Sequence, residues 1–186
     1  ISPYQDVEID LEKVFVQLLT DTKYGRETQN KPADLKTFGQ MVATVFRVLS
    51  REKLEAYQYT LATLEELQNR GARLFILSNA QRIFTQAEIE LTGCATFMEK
   101  IYISSDYRIK KPEPEFLLGL MGENQLNPAE TVFVGNDLTS DIAIAQAVGI
   151  DGVLLNTFPY SPDEIFAYQE KGWDFTIIND IIELIR

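Results

Sequence analysis

From the middle of the chain onward, short apolar runs alternate with segments whose apolar positions recur every three or four residues, the two periods of strand and helix. Arg73–Leu77, Ile101–Ile103, Thr131–Val134, Gly152–Leu155 and Phe175–Ile178 read as strands. Leu61, Leu64 and Leu67 stripe a helix that Gly71 closes, and an Ala-rich helix beyond Asp137 ends at Gly149, glycine being the usual residue just past a helix end. Phe116, Leu117, Leu120 and Met121 mark another helix, with Pro114 near its first turn. Thr85 with Glu88, and Ser161 with Glu164, have the spacing of capping boxes. Asn127–Glu130 predicts a short capped turn, and the Ile-rich C-terminus predicts a final helix. Strands that alternate with helices predict a mostly parallel sheet with right-handed crossovers and helices on both faces. The fold class is therefore α/β, a three-layer αβα Rossmann-like core.

The first third carries no strand pattern. Val7, Leu11, Val14, Phe15 and Leu18 give one helical stripe, interrupted by Gly25 and the polar stretch 26–31. Pro32 suits a helix's first turn, after which Leu35, Phe38, Met41, Val42, Val45, Phe46 and Leu49 continue on one face. Residues 1–58 are thus expected to form a helical accessory unit, and 59–186 the α/β core.

A chain of 186 residues can bury one good core plus a smaller accessory unit. Its net charge of −11 disfavours a nucleic-acid groove or an anionic membrane surface as partner. No apolar run approaches the roughly 20 residues of a membrane span, and no signal peptide is visible. The single cysteine, Cys94, excludes an internal disulfide, so a cytoplasmic location is expected. The sequence has no histidine, which removes Ser-His-Asp, Cys-His and histidine-ligated zinc chemistry. Proton transfer must fall to carboxylates, Lys or Tyr. The first residue is Ile1 rather than Met, so the native start is expected to lie upstream.

In parallel α/β sheets, ligands bind beyond the carboxyl ends of the strands. Polar residues gather there: Ser78 and Asn79 after the first strand, Lys111 beyond the second, and Asn136, Asp137 and Asp141 after the third. The two aspartates, four apart, face the same way if Asp137 caps the helix and Asp141 sits one turn later. They read either as a cap with a first-turn acid or as metal ligands. A hydroxyl, an amide, an ammonium and two carboxylates on one rim point to a site.

Leu77-Ser78-Asn79-Ala80-Gln81, Lys111-Pro112-Glu113-Pro114 and Val134-Gly135-Asn136-Asp137 through Asp141-Ile142 resemble the second, third and fourth motifs of the haloacid dehalogenase superfamily. The likeness is to its magnesium-dependent phosphatase branch and covers roughly residues 55–160. The preceding helical segment resembles the later part of that branch's α-helical cap, so residues 1–58 are expected to be a partial cap. The family's first motif, a strand ending in Asp-x-Asp followed by Gly-Thr, does not occur in this sequence. Asp6 and Asp10 lie in an amphipathic helix pattern instead. The resemblance therefore implies that the nucleophile and first core strand lie outside the sequence. Asn136 stands at the family's metal position with Asp137 beside it, and Arg108 stands where many relatives carry Gly.

The implied chemistry is hydrolysis of a small phosphorylated metabolite through an aspartyl-phosphate. Mg²⁺ would be held by Asp141 and either Asn136 or Asp137, while Lys111 neutralises a phosphate oxygen. Ser78 would donate its hydroxyl, and backbone N–H groups around Asn79 and Ala80 would complete the cradle. A catalytically silent binding or regulatory relative is the alternative. A phospho-accepting receiver domain is disfavoured, because Lys111 precedes Asp137 and Asp141 in sequence, and a metal-free dehalogenase is disfavoured by Asp141.

Overall fold

The computed structural model describes residues 9–21, 35–157 and 160–186. Val7, Gly25, the stretch 26–31 and Pro32, named above as parts of a helical pattern, lie outside the described residues. Two helices come first, α1 (Leu11–Asp21) and α2 (Leu35–Ser50). They cross closely at Gly39, where an added Cβ would sit 2.8 Å from Val16 Cγ2 and 3.3 Å from the Glu12 carbonyl. Phe15 and Phe46 meet nearby with ring centroids 5.9 Å apart. Phe15 and Phe46 belong to the striped positions, but Val14, Leu18, Met41, Val45 and Leu49 of the same stripes are exposed, so the apolar period becomes a helix–helix contact only in part.

The alternating part begins with α3 (Thr60–Asn69), which ends at left-handed Gly71. There follow β1 (Phe75–Ser78), α4 (Arg82–Leu91), β2 (Lys100–Ile103) and the one-turn α5 (Ser104–Tyr107). Next come α6 (Pro114–Asn124), β3 (Val132–Gly135), a π-helical turn at Leu138–Ile142 running into α7 (Ala143–Val148), and β4 (Asp151–Leu155). The chain closes with α8 (Pro162–Gln169), β5 (Thr176–Ile178) and a 3₁₀ turn at Ile181–Ile185. The expected C-terminal helix is only that turn, nucleated by Asp180 and Glu183 capping one another. Five residues cannot propagate an α-helix.

All strand pairs are parallel, as the alternation predicts, but the described strands form two sheets, β1-β2 and β3-β4-β5. β1 pairs only with β2, and β3 only with β4, so each leaves one edge open among the described residues. Val132 and Val134 of β3 are 51% and 38% exposed. The two lie on one face of the strand, which is open to solvent, while Phe133 and Gly135 on the other face are partly buried. One apolar cluster still spans both sheets, since Leu77 of β1, Tyr102 of β2 and Phe133 of β3 pack with Phe116, Leu120 and Ile144. A second cluster joins Leu138, Ile142 and Leu154 to Ile165 and Phe175. No described helix is long and apolar enough to cross a membrane.

The Ser161–Glu164 capping box forms in full. The Thr85–Glu88 one does not, because α4 already starts at Arg82 and both residues lie inside it. Glu88 is claimed by tertiary structure instead. Its carboxylate accepts from Arg47 Nε at 2.7 Å and Nη2 at 3.0 Å, and from Arg51 Nη1 at 2.9 Å. This pairing joins α2 to α4. The hydrogen bonds from Arg47 hold the Glu88 carboxyl below its ordinary value of 4.5, against the opposing effect of burial. Since the folded value is depressed, the stabilisation is present above about pH 4.5 and fades as pH falls through the folded value. Glu88→Ala should lower the unfolding free energy by about 2 kcal/mol in denaturant titrations at pH 7. The deficit should shrink below pH 4, and an equal deficit at both pH values would assign Glu88 a packing role only.

Candidate active site at the strand ends

Every sequence-selected residue lies at the carboxyl ends of β1, β2 or β3 or in the loops that follow them. Lys111 reaches across from the loop after α5, and its Nζ lies 2.6 Å from Asp141 Oδ1. Both side chains are nearly buried, and the ammonium also sits 5.5 Å from the centre of the Phe133 ring. The other carboxylate oxygen of Asp141 accepts from the backbone N–H groups of Asn136 (2.9 Å) and Asp137 (3.1 Å). A residue 5% exposed thus meets three donors, the condition for keeping a buried carboxylate charged.

Gly135 makes room for this arrangement. An added Cβ there would fall 2.3 Å from the Asp141 carboxyl carbon, so the requirement is close approach. Asp137 is the N-cap of the π-helical turn. Its Oδ1 accepts from Thr139 N (2.7 Å), Ser140 N (3.0 Å) and the Thr139 hydroxyl (2.7 Å). Burial would raise its carboxyl, but these hydrogen bonds outweigh burial and leave it below the usual carboxylate range. Asn136 is exposed at the rim, where its Nδ2 faces Thr157 Oγ1 at 3.5 Å.

The β1 loop is a junction. Asn79 Nδ2 donates to the Lys111 carbonyl (3.0 Å), and the Lys111 N–H donates to Asn79 Oδ1 (2.8 Å). Both ends of the Asn79 amide are therefore spent on placing Lys111. The Ala80 N–H, expected to help cradle an anion, donates to Ser104 Oγ (2.9 Å), which donates back to the Ala80 carbonyl (3.1 Å). Ser78 ends β1, half-buried, and its hydroxyl makes no hydrogen bond among the described residues. The loops after β1, β2 and β3 are thus linked by one hydrogen-bonded path that runs Ser104–Ala80–Asn79–Lys111–Asp141–Asn136.

Sequence reasoning missed Ser104, Ser105, Thr157 and Tyr160. Ser104 and Ser105 follow directly on the apolar run of β2, which was the available signal; Ser105 Oγ accepts from the Arg82 N–H. Tyr160 Oη accepts from the Leu138 N–H at 3.3 Å and supports the aspartate loop. No local pattern marked Thr157 or Tyr160. Arg108 adopts the left-handed conformation (φ 56°) that glycine takes at no steric cost.

As for a metal, no cluster of three His, Cys, Asp or Glu side chains occurs among the described residues. The donors present are hard oxygens, a buried carboxylate with an exposed amide beside it. That set suits Mg²⁺, which keeps several waters and takes one or two protein carboxylates.

A sequence model described as haloacid dehalogenase-like hydrolase matches residues 8–155. The chain is 27% identical over 131 residues to a glyceraldehyde 3-phosphate phosphatase of Methanothermobacter thermautotrophicus, covering 70% of this chain and 58% of that protein. It is 29% identical over 126 residues to a phosphoglycolate phosphatase of Salmonella typhi, covering 68% of this chain and 49% of that protein. The chain thus spans about half the length of the curated relatives it matches. Among solved structures, a 2-haloacid dehalogenase from Pseudomonas syringae superposes with a TM-score of 0.70 at 19% identity, over 94% of this chain and 70% of that one. At that identity the likeness speaks for the fold alone.

Gly135→Ala tests the close approach. The substitution should lower the unfolding free energy by about 1–3 kcal/mol, as overpacking does. Unchanged stability in urea melts would mean that Asp141 does not sit over Gly135.

Proposed function

This chain belongs to the haloacid dehalogenase-like hydrolase family, and from that premise we propose that its chemistry is that of a phosphatase acting on a small phosphorylated metabolite. The observation that carries the reading is the Lys111 ammonium held against Asp141 at the strand ends by a loop dedicated to placing it. A phosphate dianion there gains an ammonium from Lys111 and a hydroxyl from Ser78, which makes no hydrogen bond among the described residues. Asn79 acts through Lys111, as a positioning residue. The phosphatase names of relatives such as those from Methanothermobacter thermautotrophicus and Salmonella typhi support the same chemistry.

In this reading the nucleophilic carboxylate comes from a strand outside this sequence, and the edges of β1 and β3 left open among the described residues provide a place for one. That carboxylate attacks phosphorus, the bond to the alcohol oxygen breaks, and water then releases phosphate from the acyl phosphate. Lys111 offsets the charge of the phosphoryl oxygens throughout and favours the ionised nucleophile. Mg²⁺ would be held by Asp141 with the amide oxygen of Asn136, and would supply charge neutralisation between substrate and carboxylates. Asp137 Oδ1 is committed to its cap, which leaves Asp137 Oδ2 as the alternative second ligand. Residues 1–58 would serve as the partial cap.

The test is hydrolysis of a panel of phosphomonoesters by the full-length protein, with Mg²⁺ and with chelator. Turnover should require Mg²⁺. Lys111→Ala and Asp141→Ala should each lower kcat/KM at least about 100-fold, with the circular-dichroism spectrum of Lys111→Ala retained. Activity undiminished by chelation and by Asp141→Ala would overturn the metal assignment, and unimpaired turnover by Lys111→Ala would overturn the place of Lys111 at the phosphate.

A further inference from the structure

The helical segment meets the core over a cavity of about 250 Å³, lined chiefly by Asp10, Glu12, Gln40, Gln81, Arg82 and Asp106. Its wall and the strand-end site share one loop. Gln81 lies three residues beyond Ser78, at most about 10 Å along the chain. Gln81 also fastens the start of α1 to that loop, accepting from the Leu11 N–H at 3.1 Å and donating to the Ile9 carbonyl. At roughly 30 Å³ per water the cavity has room for about eight waters, or a small polar organic group.

The lining is rich in acceptors and poor in donors. Its guanidinium is spent, with Arg82 Nε bonded to Asp106 at 2.7 Å, Nη1 to Gln86, and Nη2 to the Ile101 carbonyl at 3.1 Å and to Asp106. Gln40 Nε2 donates to Glu12 Oε2 at 2.9 Å. Lys13 neutralises Asp10 at 2.7 Å, and Arg82 neutralises Asp106. The carboxylate of Glu12 is left without a cationic partner among the described residues. A hydroxyl group entering here would find acceptors, whereas a carboxylate would find one uncompensated like charge and, among the described residues, no uncommitted cation in the lining.

We propose that this cavity is the subsite for the alcohol part of the phosphomonoester, and that it selects an uncharged, hydroxyl-rich group over one bearing a carboxylate. The inference rests on the phosphatase reading above and assigns its substrate class. The phosphate sits at Lys111 and Ser78, and the polyol extends past Gln81 toward Glu12 and Gln40.

Calorimetric titration of the protein with orthophosphate, sn-glycerol 3-phosphate and 2-phosphoglycolate tests this, on wild type, Glu12→Gln and Glu12→Lys. The wild type should bind glycerol phosphate about tenfold more tightly than phosphoglycolate, the effect of one like charge a few ångströms away in partly screened surroundings. That ratio should fall severalfold in Glu12→Gln, which keeps the side chain's shape, and should invert in Glu12→Lys. Equal or tighter binding of phosphoglycolate by the wild type, or a ratio unmoved by both variants, overturns the subsite. Orthophosphate separates the two claims. If it fails to bind, the phosphatase reading falls and the subsite with it; if it binds while the ester ratio stays put, only the subsite falls.

Discussion

A nearly buried ammonium and a nearly buried carboxylate, 2.6 Å apart, hold the strand ends of this protein together. Taking either charge out of water alone would cost several kcal/mol, so each depends on the other and on the neutral donors around it. Asp141 satisfies the condition with Lys111 and two backbone N–H groups, and Gly135 lets it come close enough to do so. Lys111 reaches it because the Asn79 amide grips the backbone of Lys111 on both sides. The contact turns three separate loops into one surface, and it explains why polar residues here tolerate burial. Its two charges are also the pair that a phosphate and a hard cation would engage.

The loop after β1 does more than end a strand. Within four residues it places Ser78 at the rim, Lys111 through Asn79, the β2 loop through Ala80 and Ser104, and the start of α1 through Gln81. The helical segment is joined to the core a second time through Arg47, Arg51 and Glu88. The cavity between segment and core is therefore walled by the same loop that organises the strand-end rim.

Much of this was legible in the sequence, because the signals were local. Five apolar runs became five parallel strands, Ser161 and Glu164 cap one another as their spacing predicts, and Gly71 and Gly149 end their helices in the left-handed region. What local pattern could not show was competition from distant residues. Thr85 and Glu88 have the spacing of a cap, yet two arginines 37 to 41 residues upstream claim Glu88. Asp137 has the residue type of both a cap and a metal ligand, and only its three hydrogen bonds to its own turn make it a cap. The backbone N–H groups around Asn79 and Ala80 are expected to cradle an anion, whereas the Ala80 N–H faces Ser104 of the neighbouring loop. The division into two sheets was hidden for a similar reason, since an apolar run does not say which of its edges finds a partner.

The most direct test of the central contact is a double-mutant cycle on unfolding free energy with Lys111→Met, Asp141→Asn and the pair. Coupling of about 1–3 kcal/mol between the two positions is the result expected of groups in contact in a shared network. Losses that simply add, to within about 0.5 kcal/mol, would mean that the two side chains do not hold the strand ends together.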